Sequence, residues 1–253
     1  MLSRLKDENL GTFIIATLAL LIDSNQVTYN SVRQCEETVL SLAKKILHTY
    51  QENNNEKTQF PHMQAILDML VRNPEKQSRN ILGDLIKFRN YNLSLQVIKA
   101  LAKNNPPIPV SLCDWFMAAP QHRVQLYDEL ARMGKQSLLQ GESANQQSFA
   151  DAFVRMYTDS DIGESITKYF DLVTIKNAAV KNKTSRFYIF KVTCQFRRGA
   201  EYYTAIIGPF STNDAELSIP DGKDLFILYR VPFNPKETDN LFNDFIEKAN
   251  KIE

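Results

Sequence analysis

This chain of 253 residues carries 30 basic and 29 acidic side chains for a net charge of +1, with 43% hydrophobic and 23% charged residues. That balance fits one or two globular domains, each with a proper core. It excludes a global electrostatic footprint for nucleic acid or an anionic membrane.

Eight glycines are few for this length, and five of them precede residue 182. Sparse glycine favours helices joined by short connections over a glycine-looped nucleotide fold. Cys35, Cys113 and Cys194 are far apart and odd in number. They form neither a disulfide framework nor a metal-ligand spacing, which predicts buried thiols in a reducing, cytoplasmic setting.

Residues 12–22 are almost wholly apolar and follow Arg4 and Lys6. Asp7 and Glu8 spoil the basic region of a signal peptide, and Asp23-Ser24-Asn25 is no small-residue cleavage site. An eleven-residue helix spans about 16 Å, short of a hydrocarbon core of about 30 Å. A buried helix is expected, with a hydrophobic docking segment as the alternative and no transmembrane span.

Apolar positions near a 3.6 period then predict a helix over 32–50, a polar loop at 53–57, and a helix entered at Pro61 and stopped near Asn73-Pro74. Two further stripes follow over 81–88 and 93–102. The run 104–109 holds Pro106, Pro107 and Pro109 and reads as a rigid elbow. Ser111 can cap a short helix containing Trp115, the only tryptophan. Pro120 starts a helix closed by Gly134, the polar stretch 140–147 reads as a loop, and 149–157 is helical again. Residues 166–180 read as helix, with a strand at 172–175 as the alternative.

The pattern changes near Asn182. Tyr188, Phe190, Val192, Cys194 and Phe196 alternate with polar or opposite-facing residues, the signature of a half-buried strand. Arg197-Arg198-Gly199-Ala200 reads as a hairpin turn, and 202–207 as the returning strand. Asp221-Gly222 marks a turn before a third strand over 225–231. A last helix, capped by Thr238 or Asp239, carries one apolar face. The expected architecture is a mainly α region over 1–182, either an irregular helical bundle or short α-solenoid-like helix pairs. A small α+β domain over 183–253 follows, with a three-stranded antiparallel sheet and a terminal helix.

Catalytic chemistry leaves no signature. His48, His62 and His122 stand on separate helices without zinc spacing. Gly134-Lys135-Gln136-Ser137 lacks the first glycine of a phosphate loop, where Glu129 stands. The run 159–164 lacks the ligand pattern of a calcium loop, with Phe170 at its twelfth position, and reads as a helix start capped by Asp159 or Asp161. Cys194, inside a strand, reads as core. No catalytic, cofactor or metal residues are assigned.

Two features point to partners. Residues 72–104 hold Arg72, Lys76, Arg79, Lys87, Arg89, Lys99 and Lys103 against only Glu75 and Asp84. That local positive charge reads as a solvated face or as a docking surface for an acidic protein or a phosphate backbone. The hairpin mixes Phe187, Tyr188, Phe190, Tyr202 and Tyr203 with Arg186, Lys191, Arg197 and Arg198. Aromatics interleaved with cations suit single-stranded nucleic acid, although aromatics are also ordinary sheet residues.

The leading expectation is a non-catalytic protein-protein interaction module, an adaptor or subunit of a larger assembly. Charge reversal at Arg79, Arg89 and Lys99 is then expected to weaken a partner complex. An RNA or DNA binder using the 72–104 helices or the Arg197/Arg198 hairpin comes second. An enzyme with an unfamiliar site comes third. Abundant asparagine and glutamine suggest an AT-rich bacterial genome, which leaves room for a secretion-associated or host-delivered role.

Overall fold

The computed structural model describes residues 8–53, 60–139, 141–163, 166–213, 226–229 and 232–251. Arg4, Lys6, the body of the expected 53–57 loop and the Asp221-Gly222 turn lie outside them. The chain divides into two compact units, Met1–Phe116 with Leu126–Gly141, and Met117–Gln125 with Glu142–Glu253. A helical region is followed by an α+β region with an antiparallel sheet and a C-terminal helix, as the change of pattern predicts.

The helical region runs α1 (Glu8–Asp23), a 3-10 turn (Tyr29–Cys35), α2 (Glu36–Glu52), α3 (Met63–Arg72), α4 (Lys76–Lys87), α5 (Tyr91–Asn104), α6 (Val110–Met117) and α7 (Pro120–Arg132). α3 is its central helix, packed by α1, α2 and α5. This explains why six of its ten residues, Met63, Ile66, Leu67, Asp68, Met69 and Leu70, are buried. Each fully buried leucine or isoleucine there stabilises the fold by roughly 2 kcal/mol. α5 packs on α3 and buries Leu93, Val97, Ile98 and Leu101. Asn90 caps α5 by accepting from the Leu93 amide at 3.1 Å. Asn105, at φ 66°, ends it in the left-handed conformation that asparagine tolerates.

Two boundaries and the burial of one helix depart from expectation. The helix predicted from Val32 begins at Glu36, where Glu36 and Glu37 favour the positive end of the helix dipole. Ser111 lies inside α6 rather than capping it, because the Leu112 and Cys113 amides both bond to the Pro109 carbonyl. α1 is buried on one face only. Ile15 and Ala19 are enclosed, while Phe13 and Leu20 are 60% and 68% exposed.

In the second unit, α8 (Gln146–Ile162) is capped by Asn145, which accepts from the Ser148 amide at 2.9 Å. It ends at Gly163, whose φ of 103° suits glycine. Asp159 and Asp161 therefore close a helix instead of starting one. The expected helix over 166–180 is corrected to strand β1 (Thr167–Val180). β-branched and aromatic residues at Tyr169, Phe170, Val173, Thr174 and Ile175 favour a pleated chain. Lys181 and Asn182, both at positive φ, then turn the chain into β2 (Lys183–Phe196). β3 (Gly199–Phe210) and β4 (Phe226–Tyr229) complete an antiparallel sheet in the order β1-β2-β3-β4. Four strands thus replace the expected three. α9 (Thr238–Lys251) follows.

A bulge at Val173 decides which side chains meet which helix. Lys168, Phe170 and Leu172 stand opposite Cys194, Val192 and Phe190, but Thr174 and Lys176 stand opposite Ile189 and Phe187. Directly opposed residues share a face. The even-numbered residues of β1 therefore change face at the bulge. On one face Phe187, Ile189 and Ile206 form a core with Phe242 and Phe245 of α9, joined by Ala178 and Val180. The Phe187 ring meets both α9 phenylalanines edge-on, at 5.6 and 5.7 Å. On the other face, Lys168 and Phe170 line a groove with α8. Gly208, at φ 154°, brings β3 so close to Phe187 that a Cβ would lie 2.4 Å from its ring.

Candidate functional site

The seven basic residues between 72 and 104 do not make one surface. Arg72 and Lys103 converge on Asp23, at 2.7 and 2.5 Å. Lys103 also reaches Asp68 at 2.8 Å, and the Asp68 side chain is 2% exposed. Arg72 bonds Asn104 through Nε. Burial alone would push the Asp23 carboxyl up, but its bonds to Lys103 and Arg72 outweigh burial and hold it below the usual range. Burial alone would likewise lower Lys103, yet its two carboxylate partners raise it. These cations are structural ties between α1, α3 and α5. Lys99 is tied to Glu129 at 3.1 Å.

Arg89 takes a third role. Its guanidinium lies 5.1 Å from the centroid of the Trp115 ring, and Tyr91 stacks on that ring at 4.6 Å. A cation over tryptophan is worth about 1 kcal/mol. The stack pins the start of α5 to α6.

What remains exposed is α4. Lys76, Arg79 and Lys87 project on the side opposite its buried Ser78, Ile81 and Leu85. None of the three is held by an ion pair to a described residue. Gly83 falls between them on the same helical stripe, and a Cβ there would meet nothing within 4 Å. A mid-helix glycine costs about 1 kcal/mol relative to alanine. No neighbour among the described residues accounts for this one. Asp84 is exposed beside the stripe and leaves the helix net positive.

In the hairpin, Phe187, Tyr188 and Phe190 are at most 2% exposed, so these aromatics are core. Tyr202 remains 44% exposed, with the Lys191 ammonium 4.8 Å from its ring centroid. Arg197 and Arg198 occupy the exposed two-residue turn between β2 and β3.

The three cysteines are buried, and burial pushes the thiols of Cys35 and Cys194 up. Such thiols are poor nucleophiles. His48 pairs with Glu52 at 3.2 Å on the surface, and His122 contacts Gln125. Among the described residues no group of three or more histidine, cysteine or acidic side chains is placed to share a metal ion. No helix among them is long and apolar enough to cross a membrane.

Sequence reasoning missed a groove of about 560 Å³ in the second unit. Pro120 and Gln121 of α7, Ala152, Arg155, Met156, Asp159 and Ser160 of α8, and Ile166, Lys168 and Phe170 at β1 line it. The Lys168 side chain is 3% exposed, and its ammonium is held at 2.5 Å by both Asp159 and the Gly163 carbonyl. Asp151 grips Arg155 through Nε and Nη2, both at 2.9 Å, and the guanidinium lies 4.6 Å from the Phe170 ring centroid. The helix reading of 166–180 hid this site, because Lys168 and Phe170 share a face only in a strand. Comparison with protein-family models, with curated proteins and with solved structures finds no match for this chain.

Proposed function

We propose that this chain is a non-catalytic interaction module, an adaptor or subunit of a larger cytoplasmic assembly, that docks an acidic protein surface through α4. The observation that carries this reading is the stripe of Lys76, Arg79 and Lys87 around Gly83. Long-stemmed cations there reach outward with no ion-pair partner among the described residues, and the missing Cβ lets a partner's backbone come close. The buried thiols suit a reducing compartment. Arg89 and Lys99 leave the proposed surface, since Trp115 and Glu129 engage them.

The test is capture of the tagged full chain and its K76E/R79E/K87E variant from the native host, with and without nuclease. An acidic protein recovered in stoichiometric amount by the wild type, resistant to nuclease and lost by the variant, is the expected result. Equal recovery by the variant overturns the α4 surface. Recovery that vanishes with nuclease, with affinity falling steeply as salt rises, transfers the function to nucleic acid. The variant keeps its fold and melts cooperatively, because exposed substitutions stay within about 0.5 kcal/mol each.

A further inference from the structure

We propose that the groove between α8 and the leading half of β1 binds an extended peptide segment of a partner protein. The segment adds to the sheet beside β1 and directs an acidic and an apolar side chain into the groove. This inference rests on the second unit alone and does not depend on the α4 reading.

β1 lies at the edge of the sheet, with β2 on one side only. Its outer main chain presents the row of donors and acceptors that another strand can pair. No described strand lies there. The bulge at Val173 interrupts the edge, so a full-length pairing of β1 with a second copy of itself would be broken at mid-strand. The six residues before the bulge, 167–172, form an uninterrupted edge, and Lys168 and Phe170 within them line the groove. A short extended segment matches that length.

The groove wall sets the chemistry. Its volume is that of an ordinary ligand site. Met156 is 39% exposed, and it shares the wall with Ile166, Phe170, Ala152 and Pro120. Arg155 supplies the specific polar group. Asp151 takes its Nε and Nη2, which leaves the Nη1 donors to an incoming carboxylate. Lys168 offers little, being closed by Asp159 and Gly163. Asp159, one helical turn beyond Arg155 and 42% exposed, repels a second acid. Side chains on one face of a strand recur about every 6.7 Å. In the proposed pose one such side chain reaches Arg155 and the next packs on Met156. Main-chain pairing supplies affinity and the two side chains supply selectivity.

The test is selection of a displayed random octapeptide library against the full chain, followed by fluorescence anisotropy with a synthesised winner. The expected winners carry Asp or Glu two residues away from a large apolar residue. Arg155→Gln and Met156→Asp should each weaken binding by about tenfold or more, the loss expected for one charge-assisted bond or one apolar contact. Met156 is exposed, so its variant folds even where Arg155→Gln loosens the packing on Phe170, and thermal melting checks both. N-methylation at alternate peptide bonds should abolish binding in one phase and spare it in the other. Winners without the acid-apolar pattern, no winners, binding indifferent to Met156→Asp, or binding indifferent to both N-methylation phases would each overturn the proposal.

Discussion

Lys103 on α5 and Lys87 on α4 belong to the same basic stretch of sequence, yet they do opposite things. Lys103 closes a network with Asp23 and Asp68, drawn from helices distant in sequence. Lys87 stands on an exposed stripe with no described carboxylate engaged. The two helices differ in where their faces look. α5 is buried over most of its length and turns Lys103 toward α1 and α3 and Lys99 toward Glu129 of α7, while α4 buries a narrow strip and turns its cations outward. A local excess of charge in a sequence is therefore not a surface until the acids elsewhere in the chain have been placed. Pairs completed inside the fold fix geometry; those left outside are available to another molecule.

The contrast can be broken most forcefully at Lys103. Lys103→Met leaves the Asp68 carboxylate buried with only Gln64 as a described side-chain partner, and should destabilise the chain by roughly 2–3 kcal/mol. Lys87→Met should change stability by no more than about 0.5 kcal/mol. Urea denaturation of the two variants side by side measures the difference, and equal effects would erase the distinction drawn between α5 and α4.

Acidity and alkalinity sharpen the same point. Asp23 titrates below its ordinary value of 3.8, so its contribution is present above that value and fades as pH falls through the depressed one. Lys103 titrates above its ordinary 10.5, so its contribution is complete below that value and is lost as pH rises through the raised one. The stability difference between wild type and Asp23→Asn should be flat across neutral pH and shrink in strong acid. Denaturant melts over a pH series would show it, and a difference that grows in acid contradicts the network. A smaller effect than that of Lys103→Met, and of opposite sign, is expected at Gly83. Gly83→Ala should stabilise the chain by about 1 kcal/mol, since its Cβ meets nothing. If the glycine serves close approach of a partner, the same substitution weakens capture, and calorimetry with a pull-down reads both.

Much of the fold was legible in the sequence. Apolar residues at helical spacing marked most of the helices, the prolines at 106, 107 and 109 marked the elbow, and alternation from Tyr188 to Phe196 marked β2. β1 was not legible, because the extra residue at Val173 puts Leu172 and Ile175, three positions apart, on the same face and breaks the twofold period. The Lys181-Asn182 turn was the available signal. It joins two runs of strand-forming residues, and asparagine tolerates the positive φ that such a turn needs. Of the candidate site, the charges were legible and their engagement was not. Asp23 and Glu129 are separated in sequence from the lysines they meet, and no local spacing announces the pairing. The groove was hidden for the same reason, since Pro120, Arg155 and Phe170 converge only when the strand is correctly placed.

The extra residue at Val173 has an evolutionary consequence. β1 keeps one unbroken rhythm of exposed and half-buried positions from end to end. The bulge leaves that rhythm intact but turns its half-buried positions from one face of the sheet to the other, so the leading half answers to α8 and the trailing half to α9. The two halves can accept substitutions independently, because a change that suits one compartment is not tested in the other. Deleting the single bulged residue would make them one reading frame again, and every side chain on one half would then point into the wrong layer.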